Sequence, residues 1–176
     1  NTYYKPTVFI TGANLHVRDG TGTSETTPAN GLGNIVIGYD ESEPDATASA
    51  FCSYGIYDNE TDCVNDGKIW ASNQKTGSHS IILGTGNSYT RYGHIIAGKG
   101  NMASGVLAGV FGGVANLVRG DQSIIAGGTQ NTAQGNSTSI VGGALNSATG
   151  QQTTVSGGFA NIASGDQSTI SGGIEN

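Results

Sequence analysis

The side chains of this 176-residue chain that could do chemistry are two cysteines, an acidic run, five clustered aromatics and three histidines. Cys52 and Cys63 are the only cysteines, and both fall in a polar, acidic segment. A solitary pair in such a setting predicts a disulfide stapling a loop, contributing about 3 kcal/mol through loop closure. A zinc site would need further ligands close by, and residues 40–76 contain a single histidine-free stretch with His79 beyond it. The run Asp58-Asn59-Glu60-Thr61-Asp62-Cys63-Val64-Asn65-Asp66-Gly67 concentrates oxygen ligands, with Asp58, Asp62 and Asp66 as candidate calcium ligands. Its spacing departs from that of an EF-hand loop. A solvated acidic loop without a cofactor is therefore the preferred reading.

Tyr54, Tyr57, Trp70, Tyr89 and Tyr92 lie in or just after the same segment. Exposed aromatics offer flat platforms for glycans or proteins, which makes these five the candidate ligand contacts. Packing of the segment onto the rest of the chain would account for them equally well. His79 and His94 are fifteen residues apart, predicting two solvent-facing histidines stacked in register and not a metal ladder. No phosphate-binding glycine loop precedes a helix, and no nucleophile elbow is present. Carboxylate pairs for glycoside hydrolysis have no support beyond the presence of acids. No catalytic residue is assigned, and the chain is read as a non-enzyme.

The elements that must position these groups are repeats. Asn101, Asn116, Asn131, Asn146, Asn161 and Asn176 recur every fifteen residues, and the first five open the pattern N-x-[A/V]-x-G. A glycine pair precedes each of the last five asparagines, as in Gly127–Gly128 and Gly142–Gly143, with Val110, Ile125, Ile140, Val155 or Ile170 two residues before the pair. A fixed short period means stacked supersecondary units, here a parallel β-solenoid. Each unit has room for two short strands and two tight corners. Glycine and asparagine suit the corners, and each Asn amide can bond its copy in the next turn. Turns stacked about 4.8 Å apart would make five repeats roughly 24 Å long.

Three zones follow: 1–39, with strand-like runs at Thr7–Thr11, Asn14–Arg18 and Asn34–Gly38 that cap or begin the roll; an acidic loop insert at 40–76; and β-roll repeats at 77–176. The runs Ser80–Gly84 and His94–Gly98 resemble the later strands, so the insert interrupts one continuous solenoid. The chain has no initial Met and the period is still running at Asn176, so further repeats are expected past it. Thirty glycines with only 11% charged residues contrast with the highly charged composition usual in disorder. A net charge of −6 without a basic stripe excludes a nucleic-acid partner, and no apolar run is long enough to insert in a membrane. One Val/Ile and one small residue per turn make a thin core. Pairs such as Val110–Phe111, Ile124–Ile125 and Ile140–Val141 place apolar groups on both faces of a strand, and the outward ones need a partner. Three-fold packing of thin coils, a homotrimer, satisfies this.

The units S-I-V-G-G-A-L-N-S-A-T-G (Ser139–Gly150) and V-S-G-G-F-A-N-I-A-S-G (Val155–Gly165) resemble the head repeats of YadA-like trimeric adhesins. The resemblance covers residues 77–176, more loosely 31–39, and not the insert. It implies a left-handed parallel β-roll, three chains per head, and a secreted or cell-surface location on a bacterium or a phage fibre. Carried over, Ile125, Ile140, Val155 and Ile170 are core, and Gly142, Gly150, Gly157 and Gly165 are corners. The family's unit is nearer fourteen residues, whereas this one is fifteen with a doubled glycine. The expected function is an extracellular structural or adhesive module, a rigid trimeric head or fibre segment displaying the insert to a host or bacterial surface protein or glycan. A purely structural filament subunit is the alternative; a polysaccharide-acting fibre enzyme and an ice-binding protein rank lower. Specificity is expected in the insert, with the repeats as scaffold.

Overall fold

The computed structural model describes residues 8–23, 28–38, 41–42 and 49–176. Their architecture is a parallel β-solenoid. One parallel sheet has eight strands: Ile35–Ile37, Ile81–Thr85, Ile95–Lys99, Gly109–Val110, Ile124–Ile125, Ser139–Ile140, Thr154–Val155 and Thr169–Ile170. A second, facing it, has six: Ser88–Tyr89, Met102–Ala103, Leu117–Val118, Thr132–Ala133, Ser147–Ala148 and Ile162–Ala163. Isolated parallel bridges Lys99–Val114–Thr129–Ala144–Phe159–Ile174 run along the corner between them.

Alternation along two-residue strands sends one side chain inward and one outward. The inward ones form a single column of core from each sheet. Val110, Ile125, Ile140 and Val155 are fully buried against Ala103, Val118, Ala133 and Ala148, while Ile170 in the last turn is only partly covered. The carried-over core positions are therefore core. The corner assignment shifts by one residue. Gly143 and Gly158 take the left-handed backbone, at φ 82° and 92°. A Cβ on Gly142 would meet nothing, and Gly157 likewise has open space beside it. Gly150 and Gly165 do not take positive φ; Gly150 is held instead by close approach, since a Cβ there would sit 2.6 Å from the Gly165 carbonyl oxygen.

The repeated asparagines are interior. Asn131 is fully buried; its backbone N–H donates to Asn116 Oδ1 (3.0 Å), and its Nδ2 donates to Asn116 Oδ1, Gly127 O and Gly143 O (3.2, 3.2 and 3.0 Å). Asn146 repeats the same bonds one turn on. The left-handed conformation falls on the preceding residue: Ala115, Gln130, Leu145 and Ala160 have φ of 55–59°. An Asn in that conformation would lose the inward pose that its ladder bonds require.

The first turns are fourteen residues long, because Ile81 pairs with Ile95 and Ile95 with Gly109, whereas Gly109 pairs with Ile124. This one-residue difference overturns the histidine expectation. His94 aligns with Ser80 and not His79, and it is buried at 1% exposure. Its Nδ1 lies 3.0 Å from Ser80 Oγ, and its Nε2 lies 2.8 Å from the Gly105 carbonyl, which makes Nε2 the protonated donor of the neutral ring. Burial holds its pKa down at about 4, against the opposing Gly105 contact. The folded ring stays neutral where the unfolded one protonates, so stability is complete above pH 6.5 and is lost as pH falls towards 4. The expected loss is about 3 kcal/mol in chemical denaturation, and His94→Ala, matching Ala108 one turn on, should flatten this part of the profile.

In the N-terminal zone, only Ile35–Ile37 is a strand among the described residues, pairing in parallel with Ile81–Leu83. Residues 8–18 form no strand; Val8 and Phe9 are 88% and 85% exposed, and among the described residues no strand pairs with them. Thr7 lies outside the described residues.

Candidate functional site

The insert lies between the Ile35–Ile37 strand and Lys75, where the chain bridges to Tyr89 of the second sheet. Within it, Phe51–Cys52 and Trp70–Ala71 form an antiparallel hairpin, and the Cys52–Cys63 disulfide ties it to a helix at Glu60–Asn65. Asn59 caps that helix by accepting from the Asp62 N–H at 2.9 Å. Phe51, Cys52 and Cys63 make a small core of their own. More than half of the acidic run is thus helix. The Asn59 amide donates to Asp58 and Asp62, and Asp66 lies 3.8 Å from Lys68. Among the described residues no three acids, histidines or cysteines converge as metal ligands.

The insert packs on the outward face of the second sheet. A Cβ on Gly55 would overlap the Arg119 carbonyl and come within 3.0 Å of the Ser104 carbonyl, so insert and sheet touch backbone to backbone. Arg91 fixes the same contact. Its guanidinium lies 4.4 Å over the Tyr54 ring and pairs with Asp121 at 2.6 Å. Asp58 is held below the usual carboxylate range by the Asn59 amide, with Arg119 and Gln134 across the interface adding to the effect.

The five candidate aromatics do not form one platform. Tyr54 and Tyr57 neighbour each other, with ring centroids 6.5 Å apart, and Trp70 sits half-buried in the hairpin. Tyr89 is a correction: it is 3% exposed in the solenoid core, because it occupies the inward position filled by Ala103 and Val118 in later turns. Tyr92 lines a separate cavity of about 490 Å³ with Val17, Arg18, His79 and Leu107.

A groove of about 540 Å³ opens where the insert crosses the second sheet. Met102, Leu117 and Val114 supply apolar lining, Lys99 and Arg119 the charge, and Ser49 and Asn73 from the two ends of the insert contribute polar groups. Most of these residues belong to the repeats and were not singled out by the sequence. Their one signal is a change along the repeat: Met102 and Leu117 stand where the next two turns place Thr132 and Ser147 (and the one after, Ile162), and Arg119 stands where they place Gln134 and Thr149.

Fold and site together define a parallel β-solenoid carrying a disulfide-stapled insert clamped to one of its sheets. Comparison with protein-family models, with curated proteins and with solved structures gave no match. Among the described residues, no helix is long and apolar enough to cross a membrane.

Proposed function

We propose that the chain is a rigid extracellular adhesive module, three copies assembling side by side and each presenting its insert and the groove beneath it. The observation that carries this reading is a division of labour between the facing sheets. The second sheet holds the insert. The outward side of the first is an apolar face that no other described residue covers, with Ile37, Ile95, Phe111 and Val141 at 60, 44, 49 and 54% exposure. Contiguous exposed apolar surface of this kind marks an interaction face, and a thin coil gains core by burying it against copies of itself. The disulfide accords with an oxidising location, secreted or on a cell surface. The resemblance to YadA-like heads supports the same assembly.

Light scattering is expected to give three times the 17.7 kDa of one chain. Ile124→Lys combined with Val141→Lys should release single folded chains, and a single-chain mass for the unaltered protein would remove the trimer. Phe51 and Ala71 are paired in the hairpin, so a short turn can replace residues 51–71. That variant should keep the solenoid's melt and lose binding to arrayed surface glycans and proteins. Loss of fibre growth in place of surface binding would favour the filament subunit.

A further inference from the structure

Lys99 and Arg119, two of only seven Lys and Arg in a chain of net charge −6, line the groove beneath the insert, and among the described residues that line it none is a carboxylate. The Arg119 guanidinium is half-buried, and its Nε is a buried donor with no hydrogen-bond partner. Burial destabilises its charge by more than Asp58 restores, so a further anion beside it would be favourable. Between the cations the lining is apolar, made of Met102 and Leu117 on successive turns and Val114 at the corner of the second. Ser49, Asn73, Ser88, Gln130 and Thr132 surround it with hydroxyls and amides. The underlying strands are already paired on both sides: Leu117 lies between Met102 and Thr132 in the ladder. An extended peptide therefore finds no open strand edge to join.

We propose that this groove binds an acidic saccharide. Carboxylates of the chain lie at Arg119 and Lys99, sugar rings lie on Met102, Val114 and Leu117, and the surrounding amides and hydroxyls meet sugar hydroxyls. A volume of about 540 Å³ is within the usual range for such sites. The proposal rests on the adhesive reading and gives it a ligand class.

The test is calorimetric titration of the whole chain with a hexamer of galacturonic acid, with maltohexaose as the neutral control. The hexauronate is expected to bind, more weakly at high salt, and maltohexaose at least about tenfold more weakly. Lys99→Gln and Arg119→Gln should each weaken uronate binding about tenfold or more, with unchanged thermal melts confirming the fold. Leu117→Glu puts a carboxylate in a surface column that accepts Thr132, and should abolish binding. Lys68→Gln, a cation of the insert outside the groove, should change nothing. Four results would overturn the proposal: no binding up to about 5 mM, equal binding of maltohexaose, binding indifferent to the groove variants, or preference for a polyglutamate peptide. Insert-dependent surface binding without uronate binding would sink the ligand class and leave the adhesive reading standing. Uronate binding without any surface binding would do the reverse.

Discussion

Replacing Gly128 by alanine is expected to destabilise the solenoid by about 4 kcal/mol, read as a lowered denaturant midpoint. Gly128 has φ 91°, and its missing Cβ would overlap the Gly143 carbonyl oxygen and come within 2.7 Å of Asn131 Nδ2. Both neighbours belong to the ladder, so neither can yield without breaking bonds to the next turn. Two residues on, Gln130 also has a left-handed backbone, at φ 55°, yet its side chain is exposed. Gln130→Gly removes local strain and adds unfolded-chain entropy, terms of similar size, so its effect should stay within about 1 kcal/mol. If both substitutions cost the same, backbone conformation and not close approach sets the glycine requirement.

Asn131→Ala should cost a comparable amount, on the order of 3–5 kcal/mol. The Asn146 backbone N–H loses the Asn131 Oδ1 acceptor at 3.0 Å, and the Gly127 and Gly143 carbonyls each lose a donor. The Asn146 N–H is buried between turns, where an unmet polar atom costs about 1–3 kcal/mol, and the two carbonyls are part-buried and lose less. Asn131→Asp restores the acceptor without the donors and places a carboxylate among carbonyl oxygens. Its folded-state pKa is raised, so this variant should be most stable at acid pH and lose stability as pH rises past 4. A pH-independent penalty for the Asp variant would show that the ladder is not closed to water.

Much of this architecture was legible because the period is written in residue types with one geometric meaning. Branched aliphatics every fifteen residues, opposed by Ala or Val, can only be the inward column of a coil, and Ile125, Ile140 and Ala133 are fully buried. The Asn-to-Asn bonding between turns was readable for the same reason. The left-handed corners were not, because Ala115, Gln130 and Leu145 share no chemistry; the ladder imposes that conformation against local preference. The even spacing of His79 and His94 misled because the early turns are one residue shorter. Tyr89 could have been read as core, since it stands two residues after Asn87, where Ala103 stands after Asn101. The groove escaped because Ser49 and Asn73 meet Met102 and Leu117 only once the insert is folded over the sheet.

The two turn lengths carry a final consequence. Gly84, Gly98 and Gly113 stack in one column, each with its absent Cβ against the carbonyl of the next, so the residue added in the longer turns is the glycine before it. Gly112, Gly127 and Gly142 are these added residues; a Cβ on Gly127 or Gly142 would meet nothing, and one on Gly112 only the Ala126 carbonyl oxygen at 3.9 Å. Gly38 stands in the same column against Gly84, and the insert lies between it and the return of the chain at Lys75. One corner therefore accepts either a single extra residue or a whole folded excursion, while the hydrogen-bonded ladders continue on both sides. That corner is a socket: in this chain it carries one extra glycine or one folded insert, and the rod beneath it keeps its register.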